Sequence, residues 1–141
     1  MQARVKWVEH RTFLGESGSG HSVVMDGAPE AGGRDLGVRP MEMLLLGMGG
    51  CTAFDVVDIL LKGREPVEDC VIEIDADRAQ EAPKVFTHIR MRYVVSGRGL
   101  NRAKVERAVK LSAEKYCSAS IMLGKTADLT HEIEVVELAK L

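Results

Sequence analysis

Pro40-Met-Glu-Met-Leu-Leu-Leu-Gly-Met-Gly-Gly-Cys51-Thr-Ala-Phe-Asp55-Val-Val-Asp58-Ile-Leu-Leu61 is the most apolar stretch of the chain. Proline suits a first helical turn, where its missing N–H would have had no partner, and Gly63 follows as a stop, so the stretch predicts one helix from Pro40 to Leu61. It is apolar on nearly every side, and such a helix must be surrounded by other apolar surface. Its length would suit a membrane span, but Glu42, Asp55 and Asp58 would be costly in lipid. Gly47, Gly49 and Gly50 fit close protein packing better. The 141 residues supply few elements to wrap such a helix, so part of its cover is expected from a second copy of the chain.

Working outward, Ala3, Val5 and Trp7 alternate with Arg4 and Lys6 as a strand over residues 3 to 8, with further strands expected at Arg11 to Glu16 and His21 to Asp26. The Gly15-Glu-Ser-Gly-Ser-Gly20 break has the composition of a hairpin turn, and Ala28 to Val38 reads as a loop leading into the helix. Beyond the helix, Cys70, Ile72, Ile74 and Ala76 alternate with Glu73, Asp75 and Asp77. Val85, Ile89, Met91, Tyr93 and Val95 alternate with His88, Arg90 and Arg92. These are two half-buried strands, joined as a hairpin through Gln80 to Lys84, whose acidic and basic outer faces can pair across. Val105, Ala108, Val109, Ser112, Ala113 and Tyr116 then recur at helical spacing, a short helix is expected over Ser118 to Lys125, and Leu129 to Val135 alternates as a last strand. The order predicts a single α+β domain over residues 1–141 with mainly antiparallel sheet.

With 19 basic and 21 acidic residues the net charge is −2, which gives no electrostatic reason to expect nucleic acid or an anionic membrane as partner. The amino-terminal residues lack the continuous apolar core of a signal peptide, so a cytoplasmic, reducing location is expected. Three cysteines in such a compartment do not form a disulfide framework; any thiol function is redox or catalytic.

Cys51, beside the glycine pair, is a candidate reactive thiol, and Cys117 ends the run Ala113-Glu-Lys-Tyr-Cys117-Ser118. A thiolate is the attacking species in peroxide reduction, and a free cysteine with a pKa of ~8.5 is mostly protonated at neutral pH. Cys51 lies about three turns into the helix, where the helix dipole has faded, so a cation must stabilise the anion. Arg11, Arg34 and Arg39 are the candidates. Glu42 can orient such an arginine through a bidentate pair, although it stands nine positions before Cys51, about two and a half turns away. Read alone, Cys51 is equally compatible with a small buried hydrophobe, and Cys117, at a helix junction, reads as structural before catalytic. Cys70 alternates with isoleucines as a core strand residue. His10, His21, His88 and His131 are scattered, no Cys-x-x-Cys or His-x-x-x-His spacing exists to support zinc, and no metal or cofactor is expected.

The Pro40 to Cys51 run, with Cys117 following by 66 positions, resembles the OsmC/Ohr family of osmotically induced and organic hydroperoxide resistance proteins over essentially the whole chain. The resemblance implies antiparallel sheets wrapping central helices in an intertwined homodimer. It implies a peroxidatic Cys51 that attacks an organic hydroperoxide and becomes a sulfenic acid, and a resolving Cys117 that captures it as a disulfide. The disulfide would then be reduced by a dithiol, in one branch a dihydrolipoyl group on another protein. By motif position the catalytic roles fall on Cys51 and Cys117; Arg11 stands near the family's amino-terminal arginine, and Glu42 and Arg39 are the further catalytic candidates. In the peroxidase branches a carboxylate directly follows the proline; here Met41 stands there and Glu42 comes one later, which turns the side chain by about 100°. That pattern is more similar to the OsmC-like branch. Two rival readings stay open: a dimeric module that binds a small lipophilic ligand or senses redox state, and a structural dimer with inert thiols.

Overall fold

The computed structural model describes residues 1–139. The chain forms two compact units, Met1–Leu46 and a second beginning at Gly47. In the first, β1 (Ala3–Glu9), β2 (Thr12–Ser17) and β3 (Ser22–Met25) form an antiparallel sheet in that order. Trp7 lies opposite Phe13 and Leu14 opposite Val24. The β1–β2 turn passes through His10 at φ 48°, and the loop after β3 contains a single turn of tighter helix at Pro29–Ala31.

That loop is organised by Asp26, which is almost wholly buried. Its carboxylate accepts from the Thr12 hydroxyl at 2.9 Å and from the backbone N–H groups of Gly27, Arg34 and Leu36. These bonds outweigh the burial that opposes charge, and Asp26 is held below its ordinary pKa. Gly33 packs so closely on Gly27 that a Cβ there would sit 1.9 Å from the Gly27 carbonyl oxygen, so no side chain fits. Every residue of β1 is exposed, with Val5 and Trp7 each at 61%.

Helix α1 (Pro40–Lys62) matches the expected bounds to one residue. It is long and apolar enough to cross a membrane by composition alone. Met48, Thr52, Val56 and Leu60 recur every fourth position and are buried, so one ridge of α1 belongs to the core of the second unit. The opposite side is bare: Phe54 is 72% exposed and Leu61 58%.

In the second unit, β4 (Val67–Arg78) and β5 (Phe86–Gly97) form the expected hairpin. Ile74 lies opposite Met91 and Ile72 opposite Tyr93 on the inner face. On the outer face Arg90 bridges Asp75 and Asp77, and Arg92 bridges Glu73 and Glu134. Asn101 caps α2 (Arg102–Leu111) by accepting from the Lys104 N–H, and Val105, Ala108 and Val109 of that helix are buried. The spacing predicted continuous helix to Tyr116. Instead the chain widens into a π turn over Ser112–Tyr116, and the Cys117 N–H closes it on the Ser112 carbonyl at 2.8 Å. A short helix α3 (Ser118–Leu123) follows, then β6 (Asp128–Glu137).

Three of the four strand pairings are antiparallel, as expected, and the fourth is not. The second sheet is mixed, because β6 pairs parallel to β5, from His88 opposite Asp128 to Gly97 opposite Glu137. A parallel neighbour needs a crossover of a dozen or more residues, and α2, the π turn and α3 supply it. The segment after β5 is thus a strand–helix–strand unit inside an α+β fold.

Candidate active site

The sharpest convergence of reactive groups lies between α1 and the chain around the π turn. The Sγ atoms of Cys51 and Cys117 and a carboxylate oxygen of Asp55 all lie within 4.8 Å of one another. Cys51 and Asp55 stand four positions apart on α1, so both point the same way. Cys117 comes from the other side because the π turn ends on it and α3 starts after it. All three cysteines are free thiols; Cys117 is fully buried, while Cys51 and Cys70 are half-buried.

Ser120 faces Cys117 twice, donating to its Sγ from the hydroxyl at 3.0 Å and from the backbone N–H at 3.3 Å. Burial pushes the Cys117 thiol above its ordinary pKa, the two Ser120 bonds pull it back, and the adjacent Cys51 raises it again. Cys70 is raised by burial and by Asp69 and takes no part in the cluster.

Behind Asp55 runs a line of hydroxyls. Ser112 donates to Asp55 Oδ2 at 2.9 Å, the Thr52 and Ser112 hydroxyls are 2.8 Å apart, and those of Thr52 and Tyr93 are 2.8 Å apart. Proton counting fixes the direction, since each hydroxyl has one hydrogen to give. With its hydrogen spent on Asp55, Ser112 must accept from Thr52, and Thr52 must accept from Tyr93. The line runs Tyr93 to Thr52 to Ser112 to the carboxylate, and each donor is aimed at the anion. Burial above all, reinforced by the Cys117, Cys70 and Asp55 charges, pushes the Tyr93 hydroxyl up to about 12 although the Thr52 bond acts the other way, so it keeps its proton as a donor. Thr52, Ser112 and Tyr93 are each 0% exposed. Three buried hydroxyls are costly unless paired, and here every one is paired.

The other expected site residues belong to the first unit. Glu42 Oε1 accepts from the Arg39 backbone N–H at 2.7 Å, the return half of a capping box at the start of α1, rather than forming a bidentate arginine pair. The one-residue shift after Pro40 puts this carboxylate at the third helical position, where that bond is made. The Arg39 guanidinium instead pairs with Asp35 at 2.7 Å, which raises its pKa, and it also donates to the Gly37 carbonyl. Arg34 pairs with Glu9 at 2.7 Å. Arg11 donates to the neighbouring His10 carbonyl and forms no ion pair among the described residues.

Sequence reasoning named both thiols and missed Asp55, Thr52, Ser112, Tyr93 and Ser120. A signal existed for Asp55: a carboxylate in an apolar helix, four positions after the cysteine. Nothing local marks Tyr93, which alternates in its strand like any core residue. A groove of about 600 Å³ bordered by α2, α3 and β6 reaches Ser120 but is lined by neither Cys51 nor Cys117.

The sequence model of the OsmC-like protein family matches residues 32–132. Protein YhfA of Escherichia coli K12 is 55% identical over 136 residues, covering 96% of this chain and 98% of that one. The crystal structure of a hypothetical protein from Aquifex aeolicus VF5 is 31% identical, with a TM-score of 0.86 over 98% of this chain and 97% of that one. At 17% identity, an organic hydroperoxide resistance protein OsmC from Legionella pneumophila shares the fold, with a TM-score of 0.68 over 97% and 96% of the two chains. By its family match and its relatives, the chain belongs to the OsmC-like protein family.

Proposed function

We propose that the protein is a thiol-dependent peroxidase that reduces organic hydroperoxides. The observation that carries this reading is the meeting of Cys51 and Cys117, 66 positions apart, within 4.8 Å and beside Asp55. The Cys51 thiolate attacks the terminal peroxide oxygen; the O–O bond breaks, the alcohol leaves with a proton, and Cys51 becomes a sulfenic acid. The Cys117 thiolate then attacks the Cys51 sulfur, the S–O bond breaks, hydroxide takes a proton to leave as water, and a disulfide forms. An external dithiol, of the kind a lipoylated protein carries, returns both thiols. Ser120 favours the resolving step, because its two bonds stabilise the Cys117 anion. Arg11 and Arg39 are the cations proposed to assist Cys51, with Glu42 fixing the start of its helix.

The working form is proposed to be an intertwined homodimer in a reducing compartment, in which the partner covers the bare side of α1. The exposed Phe54 and Leu61 support this, as does the uncovered β1 with Val5 and Trp7. The Legionella relative's description as a hydroperoxide resistance protein supports the substrate class.

The test is mass spectrometry after one equivalent of cumene hydroperoxide, together with turnover using a small or lipoyl dithiol. A Cys51–Cys117 disulfide and sustained turnover, abolished by Cys51→Ser, are expected. Absence of turnover with either reductant would sink the proposal. Thiol oxidation that no dithiol reverses would favour a redox sensor instead.

A further inference from the structure

The peroxidase reading leaves Asp55 unexplained. A carboxylate set against two thiols opposes the thiolates that reading needs, yet three buried hydroxyls are lined up to hold it there as an acceptor. Among the described residues no lysine or arginine of this unit pairs with Asp55, and the donors that face the cluster, Ser112 and Ser120, are neutral. Three potential anions meet at one point, and among the described residues of this unit no cation is paired with them.

We infer that Cys51, Asp55 and Cys117 form a binding site for a thiophilic divalent cation of the zinc type. Cysteine sulfur and carboxylate oxygen are both zinc ligands, and three protein ligands with one open position is the pattern of a reactive zinc site. A tetrahedral zinc with Zn–S distances of about 2.3 Å holds two thiolates roughly 3.8 Å apart. The three ligand atoms, all within 4.8 Å, need little movement to close on it. Magnesium and calcium, which take oxygen ligands, are excluded by the sulfurs.

The surroundings are those of a metal site as well. The i, i+4 spacing of Cys51 and Asp55 brings two ligands to one helix face, as His-x-x-x-His does in other proteins. Ser112 donates to Asp55 Oδ2, and Ser120 donates twice to the Cys117 sulfur. Such outer hydrogen bonds orient ligands and stabilise their charged forms. Three protein ligands leave a fourth position for water or an exogenous ligand. Loading the fully reduced site displaces the two thiol protons. Oxidation of the pair by hydroperoxide converts the ligands to a disulfide, with ROOH and two protons becoming ROH and water, and the cation is released. The cation and the peroxide therefore compete for the same thiols.

The inference uses the same side chains as the peroxidase reading without depending on it. Reduced wild-type protein is titrated with zinc against a chromogenic chelator, with alkylation of each cysteine followed by mass spectrometry. One zinc per chain is expected, with Cys51 and Cys117 protected and Cys70 still alkylated. Cys70→Ser should bind like wild type, and Asp55→Asn should weaken binding at least about tenfold, of the order seen when a metal ligand's support is lost. Cobalt bound to the wild-type protein reports coordination without any variant: sulfur-to-cobalt charge transfer with intense tetrahedral d–d bands is expected. Sub-stoichiometric binding, weak octahedral bands, equal affinity in Asp55→Asn, or loss of binding in Cys70→Ser would each overturn the site. Chelator-washed protein that turns over hydroperoxide but has no zinc affinity removes the metal site and keeps the peroxidase; zinc affinity without turnover does the reverse.

Discussion

Tyr93 shows how one buried side chain acts at a distance. Among the described residues it makes no hydrogen bond to Cys51 or Cys117, but it starts the chain of donors that ends on Asp55. Tyr93→Phe leaves the Thr52 hydroxyl without its donor in a fully buried place, at a cost of about 1–3 kcal/mol measurable by urea unfolding. A cost near zero would mean that the hydroxyl line does not hold. Ser120→Ala removes one of the two bonds that pull the Cys117 pKa down. The Cys117 thiol should then titrate higher, and its alkylation rate profile in reduced Cys51→Ser protein should move to higher pH; an unmoved profile would count against Ser120 as a support of the thiolate. Both cysteines were legible as residues because glycines and a helix end flank them. The hydroxyl line was not, because threonine, serine and tyrosine at periodic core positions look like ordinary filling.

Among the elements, α1 carries the most information. Its proline start, apolar run and glycine stop are local signals, and the observed bounds agree with them. The glycine pair splits in role, however. A Cβ on Gly49 would meet the Ile74 Cδ1 of β4 at 3.0 Å, whereas one on Gly50 would meet nothing within 4 Å. Gly49→Ala should therefore be near neutral, with a helix gain of about 1 kcal/mol set against a displaced isoleucine tip. Gly49→Leu should cost about 1–3 kcal/mol by overpacking, read as a lowered denaturation midpoint; an unchanged midpoint would remove Ile74 as the reason for glycine. The β4–β5 hairpin was equally legible, since its acidic and basic faces pair as their alternation foretold. The parallel β6 was not, because alternation along one strand says nothing about the direction of its neighbour.

At the scale of the whole molecule, two properties can be measured. Cys117 and Tyr93 are both raised above their ordinary values of 9.0 and 10.0, and Tyr93 reaches about 12. A raised pKa means that the folded state keeps its proton more tightly, so the stability from these groups is intact below about pH 9 and is lost as pH rises toward 12. Thermal unfolding of the reduced protein across that range should show the decline, and Tyr93→Phe should flatten its upper part. A profile unchanged by that substitution would contradict the assignment. The second property is assembly. Light scattering should give twice the chain mass, and Phe54→Lys, on the bare side of α1, should shift the protein toward monomer while circular dichroism stays the same. A wild-type monomer would remove the dimer from the proposed function.

By itself the sequence determined most of the elements, the inner faces of the β4–β5 hairpin and the identity of the two thiols, because helical and strand periodicities and turn residues act over a few neighbouring positions. Only the tertiary structure decided that Cys117 closes on Cys51 and Asp55, that β6 runs parallel to β5, and that Tyr93, Thr52 and Ser112 line up behind the carboxylate. Those contacts join residues 40 to 66 positions apart, and what brings them together is the packing of one helix ridge against a sheet and a π turn.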